Sequence, residues 1–144
     1  MILYLDTSSL VKLYVTETGS EEVREQVDEA DMIATSVVAL PEARSALARL
    51  AREDLLDTEE LASARKELLR DWDSFFKIRV LKRVYEHAGE LAEARGLRGF
   101  DALHLASFLE LLGQADDEKV EFSAFDERLL TAARAERHAR LGPW

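Results

Sequence analysis

The stretch ILYLDTSS, residues 2–9, decides how the rest of the chain is interpreted. An apolar run that ends in Asp6 and small hydroxyl residues is typical of a short buried strand followed by a turn. A strand without a polar face is covered on both sides, as strands are inside a parallel sheet. Asp6 therefore stands at the carboxyl end of a strand, where open α/β sheets bind their ligands.

The remaining chain alternates between strand-like and helix-like patterns. Short apolar runs predict further strands over residues 32–35, 75–81 and 120–125. Apolar residues with helical spacing lie between them, and a last helix is predicted over residues 127–137. This order predicts an α/β fold with a central, mostly parallel sheet flanked by helices on both faces.

Composition limits the classes of protein that remain. A chain of 144 residues fits a single domain, so we expect one domain over residues 1–144. The absence of cysteine excludes disulfide scaffolds, thiolate zinc sites and cysteine nucleophiles. No apolar run approaches the roughly 20 residues that span a bilayer, and no signal peptide is evident. We therefore expect a cytoplasmic protein without a membrane partner.

Charge is strongly negative and unevenly distributed. The net charge of -10 argues against a surface that binds nucleic acid everywhere, so a nucleic-acid partner requires a local basic strip. Residues 17–31 hold seven acidic residues against one Arg, whereas residues 127–144 hold four Arg against two Glu. The second segment permits a tail that faces phosphate.

Four acidic residues stand at the ends of predicted elements. Asp6 and Asp126 follow strands, Asp101 opens a very apolar helix, and Glu42 lies early in another helix. A single acid in such a position is most often a helix cap. Four of them at one sheet edge repel each other unless cations are bound, and Mg2+ and Mn2+ prefer carboxylate oxygens.

The start of the helix that carries Glu42 has two interpretations. Ser36 is a possible cap, but Pro41 would then fall in the second turn, where its missing N–H disturbs a helix. Alternatively, the helix begins near Leu40 and Pro41 is its first residue. Glu42 lies near the helix start in both cases.

Four segments resemble the acidic motifs of PIN domains, and the resemblance is strongest to VapC-type toxins of toxin-antitoxin pairs. The segments occur in the expected order and span nearly the whole chain. They are YLDTS (residues 4–8), PEAR (41–44), RGFDALHLA (98–106) and SAFD (123–126).

The resemblance implies a metal-dependent endoribonuclease that leaves 5'-phosphate and 3'-hydroxyl ends. It also implies an RNA substrate, a cognate antitoxin partner and a homodimer. Ser123 matches a position that supports metal, water or phosphate in this family, and Thr7 and Arg98 are further secondary candidates. The implied catalytic and Mg2+ or Mn2+ ligands are Asp6, Glu42, Asp101 and Asp126.

For several other polar residues, a structural role explains the sequence better than a functional one. His104 lies three residues after Asp101, but its apolar neighbours favour a structural, hydrogen-bonded core histidine. Of the arginines at 44, 49, 52, 95 and 98, each is more readily explained as a solvated side chain, and Arg98 is the best candidate for phosphate contact. A last short strand is usual in the family, but residues 137–144 contain little to build one.

Two other functions compete with a nuclease. A PIN-like fold without catalysis would act as an RNA or protein scaffold, which has no need to keep repelling carboxylates together. A phosphoryl-transfer domain with a strand-end Asp as nucleophile shares the topology. It normally has a second acid two residues later, and that position is Ser8 here.

Overall fold

A computed structural model describes residues 1–142. Within that part of the chain, a single parallel sheet has the order β3-β2-β1-β4. The chain moves from β1 outward through β2 to β3, and then returns to place β4 on the other side of β1. The switch point of the sheet therefore lies between β1 and β4. The strands are β1 (Ile2–Leu5), β2 (Met32–Ser36), β3 (Phe76–Ile78) and β4 (Val120–Ser123).

Helices occupy the predicted positions between the strands. The connection from β3 to β4 contains two of them, and the last helix ends the described chain. They are α1 (Thr7–Lys12), α2 (Ser20–Glu29), α3 (Ala39–Arg52), α4 (Thr58–Trp72), α5 (Lys82–Arg95), α6 (Gly99–Gln114) and α7 (Glu127–Leu141).

The sheet separates two apolar cores, and β1 contributes to both. Leu3 and Leu5 point into the core shared with α1, α2, α3 and α4. Tyr4 points to the opposite face, where α5, α6 and α7 pack, and its ring lies 5.5 Å from that of Phe122. This alternation is the two-residue period of a strand. It confirms the predicted parallel sheet with helices on both faces.

Helix α6 is the most buried helix, as its apolar composition predicted. Residues 104–109 are all buried, and Phe108 packs 4.9 Å from Phe122 between ring centroids. Such a helix is fixed by packing on most of its circumference. The side chains of its first turn are therefore held at a defined place beside the sheet edge.

Several boundaries differ from those predicted. Strand β3 covers three residues rather than the predicted 75–81, because it is an edge strand paired only with β2. Helix α3 begins at Ala39, one residue before the predicted start near Leu40, so Pro41 is not its first residue. Pro41 is then the third helical residue, where its missing N–H breaks no intrahelical bond.

Helix α7 continues to Leu141, beyond the predicted end at residue 137. No strand follows it within residues 1–142, in agreement with the weak strand signal there. Pro143 and Trp144 lie outside the described residues. No helix in the described part of the chain has the length and apolarity needed to cross a membrane.

Candidate active site

A cavity of about 840 Å³ opens at the carboxyl ends of the strands, beside the switch point of the sheet. The first turns of α1, α3 and α6 and the turn between β4 and α7 contribute to its lining. The acidic residues predicted from the sequence all line this cavity: Asp6, Glu42, Asp101 and Asp126.

Asp6 is buried at the base of the cavity, with 4% of its surface exposed. It follows β1 and is the N-cap of α1, because one carboxylate oxygen accepts the Ser9 backbone N–H at 2.9 Å. The Ser8 hydroxyl donates to the same oxygen at 2.7 Å. Burial nevertheless raises the pKa of Asp6, because loss of water outweighs these hydrogen bonds to the charged form.

Glu42 is held by a short network of hydrogen bonds. The Thr7 hydroxyl donates to Glu42 Oε1 at 2.8 Å, and His104 Nε2 lies 2.8 Å from the same oxygen. The Tyr4 hydroxyl lies 2.9 Å from His104 Nδ1. These contacts fit an imidazole that donates from Nε2 to Glu42 and accepts from Tyr4 at Nδ1.

His104 therefore has the hydrogen-bonded core position that its apolar neighbours predicted. Only 2% of its surface is exposed, and both ring nitrogens have partners. Its edge also lines the cavity, so the buried ring connects the core residue Tyr4 to Glu42 at the surface of the site.

Asp101 is the third residue of α6 and does not cap it, since the N-cap position is Arg98. Its carboxylate faces the other acids. Partial burial raises the pKa of Asp101 most, and the charges of Asp126 and Asp6 raise it further. Asp101 therefore lies close enough to the other acids for their charges to act on it.

Asp126 is exposed at the rim and caps α7, because its side chain accepts the Leu129 backbone N–H at 2.9 Å. A capping role and a place in the cavity therefore coexist in this residue, as they do in Asp6. An acid that caps a helix can therefore also belong to a functional site.

The donor set fits a hard divalent cation, because it consists of carboxylate oxygens without a thiolate. Within residues 1–142, however, no three His, Asp or Glu side chains are already grouped as ligands of one ion. The acids instead accept hydrogen bonds from neighbouring protein groups, as Asp126 does from the Leu129 backbone N–H. A shared ion site therefore requires side-chain rotation within the cavity.

A family model for the PIN domain matches residues 3–135 of the chain. The chain belongs to the PIN-domain family. This PIN domain is 41% identical over 138 residues to the ribonuclease VapC45 of Mycobacterium tuberculosis, and the match covers 93% of this chain and 90% of that protein. It is thus a VapC-type PIN domain.

Solved structures have the same fold at low sequence identity. The VapC20 toxin of Mycobacterium tuberculosis, described as cleaving the sarcin-ricin loop, is 18% identical with a TM-score of 0.63. That match covers 90% of this chain and 94% of VapC20. VapBC2 of Rickettsia felis, bound to promoter DNA, is 15% identical with a TM-score of 0.52 and covers 86% of this chain and 100% of the matched chain.

Ser123 is the one predicted site residue that does not line the cavity of this PIN domain. Its buried hydroxyl donates to Gln26 Oε1 at 2.8 Å and lies 2.9 Å from the Ser9 hydroxyl. Its backbone carbonyl accepts the Asp6 N–H at 3.0 Å. Ser123 thus supports the strand end that carries Asp6. Thr7 and Arg98 do line the cavity.

The structure separates the arginines into two groups. Arg49, Arg52 and Arg98 line the cavity, whereas Arg44 does not. Arg95 forms an ion pair with Glu136 at 2.8 Å, away from the acids. The sequence favours Arg98 but does not distinguish Arg49 and Arg52 from Arg44, because that distinction requires the orientation of the helix.

Phe100 is a cavity residue that sequence reasoning missed. It lies directly before Asp101, and 55% of its surface is exposed. The sequence does contain an indication of this role. Phe100 is an aromatic residue directly before Asp101, and it precedes the buried face of the helix.

Proposed function

We propose that this chain is a metal-dependent endoribonuclease that acts as the toxin of a toxin-antitoxin pair. The observation that carries the proposal is the meeting of Asp6, Glu42, Asp101 and Asp126, from separate parts of the chain, in one cavity at the switch point of the sheet. Its 41% identical relative VapC45 is a ribonuclease by name.

The four carboxylates would hold Mg2+ or Mn2+. When bound, such an ion lowers the pKa of a coordinated water and compensates charge on the phosphate that is attacked. Asp6 and Asp101 are the best placed ligands. Asp6 is fixed at the strand end, and the raised pKa of Asp101 reflects a negative site that a cation would relieve.

The other residues of the site orient these carboxylates. Thr7 and His104 both bind Glu42 Oε1, which leaves Oε2 as the oxygen with freedom to bind an ion. Arg98, at the N-cap position of α6, is suited to contact the RNA phosphate beside Asp101. The reaction would hydrolyse the phosphodiester to 5'-phosphate and 3'-hydroxyl ends.

The proposed partners are RNA, a cognate antitoxin and a second copy of the chain. VapBC2, which has a similar fold, was solved on DNA from its promoter. Outside the cavity, Leu81 and Tyr85 expose apolar surface that a protein partner would cover. A toxin that cleaves cellular RNA would work in the cytoplasm. An inactive scaffold is not favoured, because it gains nothing from four mutually repelling acids.

RNA cleavage in Mn2+ or Mg2+ is expected to stop in EDTA and to fall about a hundredfold or more in Asp6→Asn. The reason is the loss of several kcal/mol of charge stabilisation in the transition state. The measurement is the rate of cleavage of a labelled RNA, together with analysis of the new ends.

Asp57→Asn is the matched control, because Asp57 also caps a helix, accepting the Glu60 N–H, but lies outside the cavity. It should cleave at the wild-type rate. Equal cleavage with and without EDTA, or an Asp6→Asn protein as active as Asp57→Asn, would overturn the proposal.

A further inference from the structure

Two features of the cavity are not explained by ion binding. One is the exposed ring of Phe100, and the other is the pair of arginines at positions 49 and 52 of α3. Both line the cavity that holds the acids, and neither feature contributes to the apolar cores.

Phe100 stands where the fold has no need of an aromatic side chain. The buried face of α6 begins at Ala102, and 55% of the Phe100 surface faces solvent. Exposed aromatic rings in nucleic-acid sites serve as platforms on which unpaired bases stack. Its position next to Asp101 would place a stacked base directly beside the acids.

Glu42, Ser45, Arg49 and Arg52 form a stripe along the side of α3 that faces the cavity. Positions 42, 45, 49 and 52 follow helical spacing and all line the cavity. At 1.5 Å per residue, Arg49 lies about 10 Å and Arg52 about 15 Å along the helix from Glu42. The stripe therefore begins with a carboxylate and ends with two guanidinium groups.

Neither arginine is neutralised by the protein. In the described chain, Lys12 at the same cavity is paired with Glu17 at 3.0 Å, whereas no ion pair involves Arg49 or Arg52. In a protein with a net charge of -10, two unpaired cations beside an acidic centre are a local attraction for a polyanion. Guanidinium groups bind phosphate with paired N–H donors.

We propose that Phe100, Arg49 and Arg52 form a subsite for an unpaired stretch of RNA next to the bond that is cleaved. One base stacks on Phe100, and backbone phosphates bind the two arginines. The RNA must be unpaired there, because the bases of a duplex are stacked on each other and present no free face to Phe100. This subsite rests on the proposed ribonuclease function and specifies which form of RNA enters.

The test is the affinity of the full chain for a labelled single-stranded RNA and for a duplex of the same sequence, measured by fluorescence anisotropy in EDTA. Phe100→Ala should weaken single-strand binding about fivefold to a hundredfold, the range for loss of one base stack, and should leave duplex binding unchanged. Phe76→Ala is the control, because Phe76 is 45% exposed and lies outside the cavity.

The arginines are tested by the dependence of affinity on salt. The double variant Arg49→Gln and Arg52→Gln should reduce the slope of log K against log salt by about 0.7 for each lost phosphate contact. Arg44→Gln removes the same charge from the same helix but not from the cavity, and it should keep the wild-type slope.

The subsite is contradicted if Phe100→Ala binds single-stranded RNA as well as Phe76→Ala does, or if the double arginine variant keeps the slope of Arg44→Gln. Preference for the duplex would also contradict it. Cleavage by the same proteins in Mn2+ separates the two proposals. If the wild type cleaves RNA and the variants bind RNA as the wild type does, only the subsite is contradicted. If the variants bind RNA more weakly but the wild type does not cleave it, the subsite is supported and the nuclease is contradicted.

Discussion

Asp101→Asn is expected to abolish RNA cleavage and, at the same time, to raise the melting temperature of the metal-free protein. The same negative potential explains both results. Burial and the charges of Asp126 and Asp6 raise the pKa of Asp101, so the ionised carboxylate costs folding free energy when no cation is bound. The asparagine side chain has a similar shape but no charge, so it removes the cost in folding free energy. It also removes the predicted ion ligand.

The sign follows from proton linkage. A folded-state pKa above the ordinary value of 3.8 means that the folded protein holds the Asp101 proton to higher pH than the unfolded chain does. Stability from this group is therefore lost as pH rises from about 4 through the folded-state pKa. The difference between Asp101→Asn and wild type should be absent below that window and largest above it.

Thermal unfolding in EDTA across this pH range measures the effect. Partial exposure of Asp101 keeps the gain small, so we expect a rise of about 2–4 °C at neutral pH, the change that about 1 kcal/mol produces. Added Mn2+ should raise the melting temperature of the wild type by mass action, and of the variant much less.

Asp28→Asn is the control for loss of one negative charge, since Asp28 is exposed on α2 and lies outside the cavity. It should show the wild-type response to Mn2+. A lower melting temperature for Asp101→Asn in EDTA at neutral pH, or an unchanged Mn2+ response, would contradict the electrostatic description of the site.

His104→Ala is expected to cause the largest loss of stability among changes in the cavity, about 3–5 kcal/mol. It deletes a fully buried ring and leaves the buried Tyr4 hydroxyl without its acceptor. Glu42 also loses one of its two orienting partners, so cleavage should fall even at temperatures where the variant is folded. Urea unfolding followed by circular dichroism gives the change in free energy of unfolding.

Tyr4→Phe tests the same network with a smaller loss of stability. It keeps the ring packing against Phe108 and Phe122 and removes the hydroxyl that bonds His104 Nδ1, for an expected loss of about 1 kcal/mol. His138→Ala, on the exposed side of α7, is the control and should be close to neutral. Equal unfolding midpoints for His104→Ala and His138→Ala would show that the network contributes nothing.

Much of the architecture could be predicted because burial on two faces leaves a clear sequence pattern. Leu3, Tyr4 and Leu5 alternate between two cores, and α6 is apolar on nearly all sides. The bounds of the short β3 were harder to predict. Phe75 is apolar, but it precedes the strand and packs in the core beside α1, α2, α3 and α4. Sequence composition does not distinguish those two kinds of burial.

The candidate site could be predicted where backbone topology alone places a residue. Asp6 and Asp126 follow neighbouring parallel strands, so their positions at one edge follow from the order of the elements. Side-chain direction could not be predicted in the same way. The Ser123 hydroxyl turns to Ser9 and Gln26, and only the rotation of α3 distinguishes Arg49 from Arg44.

The most direct test of the shared cation site is anomalous diffraction from crystals of the protein grown in Mn2+. We predict a manganese peak inside the cavity, bonded to Asp6 and Asp101 and completed by Glu42 or Asp126 after rotation of their side chains. A cavity without manganese at a concentration that occupies acidic sites elsewhere on the molecule would contradict the assignment.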